Sequence, residues 1–172
     1  MPPLPELSLS DWAVLGVIAE RPTHGWPVVR ELAADGSIGR IWTVSRPLVY
    51  RALSTLLALG LIEDVGESAG ARGPQRNIVR VTRPGRAALR HWLDEPVDHV
   101  REVRNELLVK LALRDRAGQS SRPLVERQLA HLEPVFSAVT RAPAGEGFEL
   151  VLARWRREQA LAVRRFLRSQ AE

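Results

Sequence analysis

Ser45-Arg46-Pro47-Leu48-Val49-Tyr50-Arg51-Ala52-Leu53-Ser54-Thr55-Leu56-Leu57-Ala58-Leu59-Gly60 is the stretch whose reading decides the fold. Ser45 is a suitable N-cap, and Pro47 falls in the first turn, where a missing N–H costs a helix nothing. Apolar residues recur at Leu48, Val49, Ala52, Leu53, Leu56, Leu57 and Leu59 until Gly60 stops the helix. The remaining face carries Arg46, Tyr50, Arg51 and Ser54. One side suits a core, the other hydrogen bonding.

Two shorter helices precede it. Ser10 is positioned to cap the first, which runs to about Glu20 with Trp12, Leu15, Val17, Ile18 and Ala19 on a broad buried face. Arg21-Pro22-Thr23 breaks it. A second helix runs from His24-Gly25 to Ala34, with Trp26, Val29, Leu32 and Ala33 at helical spacing. After Gly60, Leu61–Val65 and Arg76–Val81 read as two strands of a hairpin with a glycine-rich, basic tip. Thr82 then caps a fourth helix carrying Ala88, Leu89, Trp92 and Leu93. Residues 94–99 form the expected boundary between a domain spanning 1–93 and one spanning 100–172. Beyond it the chain reads as all helix. One segment covers Val100 to Arg114 with Val103, Leu107, Leu108 and Leu111 on its apolar side, and a second covers Pro123 to Thr140. The third runs from Gly147 towards Gln170, striped with Phe148, Val151, Leu152, Trp155, Ala162, Phe166 and Leu167. The fold class expected is mainly α with a small β-wing.

The 172 residues suffice for one well-packed domain or two small ones. There is no cysteine, which excludes disulfides and thiolate metal sites. No long apolar run suggests a membrane span, and Met1–Glu6 lacks signal-peptide character, so the cytoplasm is the expected compartment. Net charge is +5, and of 25 basic residues only Lys110 is lysine. Their positions carry the information. From Gly36 to Gly60 stand Arg40, Arg46 and Arg51 with no acid; from Gly66 to Arg90 stand six arginines against Glu67 alone. Segregation of this kind fits a polyanion-facing surface as well as a merely solvated basic face.

Three helices followed by a hairpin is the winged helix-turn-helix order, in which the third helix enters the major groove and presents its N-terminal residues to base edges. That end offers Ser45, Arg46, Tyr50 and Arg51, and arginine can pair bidentately with guanine. The hairpin tip holds Arg72 and Arg76 among small residues, a composition suited to the minor groove. Double-stranded DNA carrying an inverted-repeat operator is the partner this implies. The competing reading has Tyr50 packed on the core and the wing a plain surface hairpin. The fold would then serve as a protein-interaction module without specific DNA binding; a ligand-independent architectural DNA protein, which differs from a repressor only in specificity, is a third reading.

The N-terminal half resembles the PadR-like family of transcriptional regulators. The matching residues are Leu15-Gly16, Pro22-Thr23-His24-Gly25-Trp26 and Trp42-Thr43-Val44-Ser45, then Tyr50-Arg51-Ala52-Leu53, Leu56 and Gly60-Leu61-Ile62, and finally Val81-Thr82, Gly85, Leu89 and Trp92-Leu93. Arg104–Leu111 is similar to the start of the helical C-terminal domain of the family's longer members. The resemblance implies a homodimeric repressor, paired through its C-terminal helices and relieved by a small aromatic or cationic effector.

Enzyme chemistry finds no support. No Gly-x-Ser-x-Gly elbow or phosphate loop occurs, so no catalytic residue and no cofactor is expected. His24, His91, His99 and His131 lack paired metal-ligand spacing, and His91 and His99 beside Asp94, Glu95 and Asp98 read as an acidic linker in preference to a metal site. Most of the five tryptophans are expected to pack. Trp92, next to the boundary, is the one expected to bind a ligand, with simple packing as the alternative.

Overall fold

The computed structural model describes residues 6–67, 77–141 and 145–171. Helix α1 (Leu9–Glu20) begins on a capping box at Ser8, earlier than the expected cap Ser10. Ser8 Oγ accepts from the Asp11 N–H, and the Asp11 carboxylate accepts from the Ser8 N–H at 2.9 Å. Ser10, the expected cap, lies inside the helix, where its hydroxyl accepts from Trp42 Nε1 at 3.2 Å. From Trp12 to Ile18 every residue of α1 is buried, so this helix has no wet face along its middle. Helices α2 (Gly25–Leu32), α3 (Arg46–Ala58) and α4 (Arg83–Asp94) pack around it together with a two-stranded hairpin.

On α2 the buried pair is Val28 and Leu32. Trp26, expected on the core face, is instead 57% exposed, because the helix turns its one-turn-spaced aliphatic pair inward and the indole outward. On α3 the buried stripe is Val49, Ala52, Leu53 and Leu56, narrower than the sequence suggests, and Leu48, Leu57 and Leu59 are exposed. Gly60 ends α3 with φ 65, the left-handed conformation that glycine adopts without a Cβ penalty.

Strands β1 (Ile62–Glu67) and β2 (Asn77–Val81) pair antiparallel, with Ile62 opposite Val81 and Asp64 opposite Val79. Thr23 bridges to Val79 through reciprocal backbone bonds of 2.9 and 3.0 Å, tying the α1–α2 turn to the hairpin. Thr82 caps α4 as expected: its Oγ1 accepts from the Gly85 N–H at 3.1 Å and donates to the Gly60 carbonyl at 2.7 Å. Gly85 crosses the hairpin base so closely that a Cβ there would collide with the Leu61 carbonyl.

The remaining chain is helical. A short α5 (Val100–Glu102) runs through a π turn (Val103–Leu107) into α6 (Leu108–Arg116), followed by α7 (Arg122–Arg141), with Pro134 inside it, and α8 (Gly147–Ala171). Two buried apolar clusters result. Val103 and Leu107 enter the second, with Leu124, Leu132, Phe136 and Leu167. Val109 and Leu113, further along the same helix, enter the first, where Leu113 fills the space a side chain on Gly16 would need. A π turn carries an extra residue per turn, which rotates the following side chains and lets one continuous helix serve both clusters. The linker is pinned as well: the buried Gln128 amide accepts from the Val97 N–H at 2.7 Å and donates to the Val97 carbonyl at 2.9 Å.

Lys110, the lone lysine, is 1% exposed. Its ammonium donates to the Glu95 carbonyl, pairs with Glu106 at 2.8 Å, and lies 4.9 Å from the centre of the Trp92 ring. Burial pushes its pKa below the ordinary lysine value against the opposing pull of Glu106. Between that lowered value and the ordinary 10.5, the unfolded chain holds the proton more tightly than the folded one. Stability should therefore rise with pH across that window, and urea denaturation at increasing alkaline pH up to the ordinary 10.5 should show a rise that Lys110→Met lacks. Lys110→Ala, which leaves Glu106 with the indole N–H as its remaining partner, should cost about 2 kcal/mol at neutral pH.

Candidate nucleic-acid interface

The start of α3 is open to solvent. Ser45 stands at the N-cap, exposed, with its side chain making no capping bond, and Arg46 and Arg51 are exposed in the first two turns. Tyr50 lies between these extremes at 43% exposure. One edge of its ring packs on the start of α2, where a Cβ on Gly25 would come within 3.0 Å of Tyr50 Cε1. Its face supports Arg46, whose guanidinium lies 5.7 Å from the ring centre. Tyr50 thus neither sits in the core nor projects freely. It is a shelf for the arginine one turn before it.

Several arginines of the chain are committed to carboxylates. Arg80 is held by Glu63 at 2.7 Å, Arg114 by Asp94 at 2.7 Å, and Arg116 by Glu20 at 2.6 Å and Glu31 at 2.9 Å. Among the described residues, Arg46 and Arg51 have no carboxylate within ion-pair distance. An arginine whose five donors are unspent is available to an external acceptor. Arg72 and Arg76, the expected wing contacts, lie outside the described residues.

Beside α3 runs a groove of about 440 Å³ between α2 and the hairpin, walled by Trp26, Tyr50, Leu53, Leu57 and Val79. Sequence periodicity assigned Trp26 to the core and so missed this surface; the signal available was an arginine, Arg30, one helical turn after it.

Trp92 is not at a surface. It is 4% exposed and stacks on Trp12 with ring centres 5.1 Å apart and planes 5° from parallel. Its Nε1 donates to Glu106 at 3.0 Å, and Lys110 covers the ring. The space near it lies elsewhere, in a second cavity of about 440 Å³ lined by Gly16, Ala19, Leu89, Leu93 and Leu113 with Arg86, Arg90 and Arg116 at its edge. Arg86 and Arg90 are one turn apart on α4, a spacing visible in the sequence but credited only to general basicity. Arg116 is kept protonated even more firmly than an ordinary arginine, chiefly by its bond to Glu20. The Ser37 hydroxyl, then Arg116, holds the Glu31 carboxyl below the usual carboxylate range.

Residues 14–91 match the model of the transcriptional regulator PadR-like family. The chain is 28% identical over 105 residues to a probable transcriptional regulator, Rv1176c, of Mycobacterium tuberculosis, covering 61% of this chain. It spans about half the length of that curated relative, 54%. Among solved structures it is similar to Bacillus subtilis PadR in complex with operator DNA, with 17% identity, 99% and 100% of the two chains covered and a TM-score of 0.48. It is also similar to the Vibrio cholerae virulence activator AphA, with 26% identity, 95% and 94% coverage and a TM-score of 0.44.

The contrast between packed and unspent side chains has a measurable consequence. Trp92→Phe removes the indole donor from Glu106 and should lower stability by about 1–2 kcal/mol in urea denaturation. Arg46→Ala and Arg51→Ala should each change it by less than about 0.5 kcal/mol, as expected of exposed side chains outside the packed core.

Proposed function

From the match of residues 14–91 to the model of the PadR-like family of transcriptional regulators, we propose that the protein is a sequence-specific DNA-binding repressor, acting as a homodimer and released from DNA by a small ligand. The observation that carries the reading is the α3 surface, where Arg46 on its Tyr50 shelf and Arg51 occupy the first two helical turns with no acidic partner among the described residues. Those turns are the part of a recognition helix that reaches base edges. Ser45 adds a hydroxyl at the same end. Arg72 and Arg76 complete the proposed site as contacts made by the wing alongside the minor groove.

Dimerisation is supported by α8. Phe148, Val151 and Trp155 are 74%, 59% and 61% exposed, at spacings of three and four residues that put them on one face. An exposed apolar stripe of this kind marks an interaction surface. A second copy covering it would give two reading helices related by a two-fold axis, with an inverted-repeat operator and half-sites about 34 Å apart or a multiple of that.

The ligand reading keeps Trp92 as a reporter and assigns the ligand itself to the neighbouring cavity. Its apolar floor with Arg86 and Arg90 at its edge, Arg116 being held by Glu20 and Glu31, suits an aromatic acid better than a cation. Gly16 lies one turn after Trp12, so a ligand pressing α1 away from α4 would loosen the Trp12–Trp92 stack and, by linkage, DNA binding. Among the described residues, no helix is long and apolar enough to cross a membrane.

Affinity for the DNA upstream of the protein's own gene and for a scrambled duplex, each across a salt series, tests the reading. Arg46→Ala or Arg51→Ala should cost about 1–3 kcal/mol on the operator and relax preference at one position. Tyr50→Phe, which keeps the shelf, should weaken binding less than Tyr50→Leu. Phe148→Glu with Trp155→Glu should give a folded monomer with much weaker operator binding. Unchanged affinity in both arginine variants would overturn the proposal and leave the protein-interaction module.

A further inference from the structure

We propose that Trp26 and Arg30 form a second DNA-contacting pair beside the reading helix, taking a backbone phosphate on the strand that borders the major groove. The inference rests on the DNA-binding reading and extends it to α2, which neither the sequence pattern nor the reading helix assigns to DNA.

Trp26 is 57% exposed, and its indole N–H has no hydrogen-bond partner among the described residues. It shares the walls of the groove with Tyr50, Leu53 and Leu57, so it flanks the exposed side of α3. Arg30, one turn further along α2, lies with its guanidinium 5.6 Å from the Trp26 ring centre. Its carboxylate neighbour in sequence, Glu31, is already engaged by Arg116 and Ser37 and does not neutralise it. The arrangement repeats that of α3: an arginine, four residues from an aromatic ring, lying over that ring with no acidic partner among the described residues.

A cation held over a ring loses less rotamer freedom when it meets an anion, and it keeps its planar fork of donors free. Two such pairs on either side of a groove next to the major-groove helix have the chemistry of backbone contacts: sequence-independent, salt-sensitive and positioning. The carboxylate lining this groove, Asp64, stands on the hairpin wall, where it accepts from Asn77 Nδ2 at 2.7 Å and from the Gly66 N–H at 2.9 Å. The phosphate is therefore expected at the Trp26–Arg30 end.

The test uses the full chain with Arg30→Gln, Trp26→Leu and Trp26→Phe, each titrated with operator and with a mixed-sequence duplex at several salt concentrations. Arg30→Gln should weaken both DNAs by about tenfold and reduce the salt slope by about one unit, without changing the preferred sequence. Trp26→Leu should weaken both by about threefold through loss of the shelf, with the melting temperature unchanged, since both side chains are exposed. DNA should also perturb tryptophan emission in the parent protein, and Trp26→Phe should remove most of that change. An unaltered salt slope in Arg30→Gln, while Arg46→Ala and Arg51→Ala still weaken binding, would overturn this inference and leave the DNA-binding reading standing. Indifference of all three arginine variants would overturn both.

Discussion

Seven consecutive residues of α1, Trp12 to Ile18, are buried, and a helix without a wet face has to be wrapped on every side. The rest of the N-terminal half is arranged to satisfy that constraint. Val28 and Leu32 of α2, Val49 to Leu56 of α3, Val79 and Val81 of the hairpin and Leu89 to Leu93 of α4 each cover part of it. The last gap, over Gly16, is closed by Leu113 from α6, beyond the linker. What frees the outer face of α3 is that its inner face is committed to α1. The exposed arginines are held in place by packing they do not take part in.

The same partition governs charge. Arginines near the joints of the molecule are spent on carboxylates or carbonyls: Arg114 on Asp94, Leu93 and Ser120, and Arg116 on Glu20 and Glu31. Arg30 on α2 and Arg46 on α3 instead rest on aromatic rings, which orient a cation without neutralising it. A protein that binds polyanions needs oriented, unneutralised cations, and stacked rings supply them at low cost in affinity for the external partner.

Between the two buried clusters the connection is polar. Lys110 reaches back from α6 to the Glu95 carbonyl and under Trp92, while Glu106, on the π turn, accepts from the indole and pairs with the lysine. A buried charge with several specific partners tolerates few alternative geometries, because each lost partner leaves a desolvated group behind. Helix α6 is therefore coupled to α4, and through the Trp12–Trp92 stack to α1. Under the proposed function, this is the route by which events among the C-terminal helices or in the neighbouring cavity would reach the reading helix.

Much of this is written locally in the chain. The element order, Thr82 as a cap, Pro47 in a first turn, Gly60 as a stop and the exposure of Ser45, Arg46 and Arg51 all follow from residue type and spacing, since capping, turn geometry and helical period depend only on near neighbours. What spacing cannot say is which of two apolar faces finds a partner. Val28 with Leu32 and Trp26 with Val29 are both plausible inward faces for α2, and only α1's position selects the first. The stripe of α8 reads as continuous, yet Leu167 is buried while Phe148, Val151 and Trp155 are bare, because the second cluster draws its α8 members from the C-terminal half of that helix. Trp92 looks like a residue at a boundary, but it lies sealed between Trp12 and Lys110, whose side chains come from 80 positions before it and 18 after it. The sequence alone determined the elements and the chemistry each carries. Tertiary structure decided which side chains remained free to use it, because burial is settled by contacts between residues far apart in the chain.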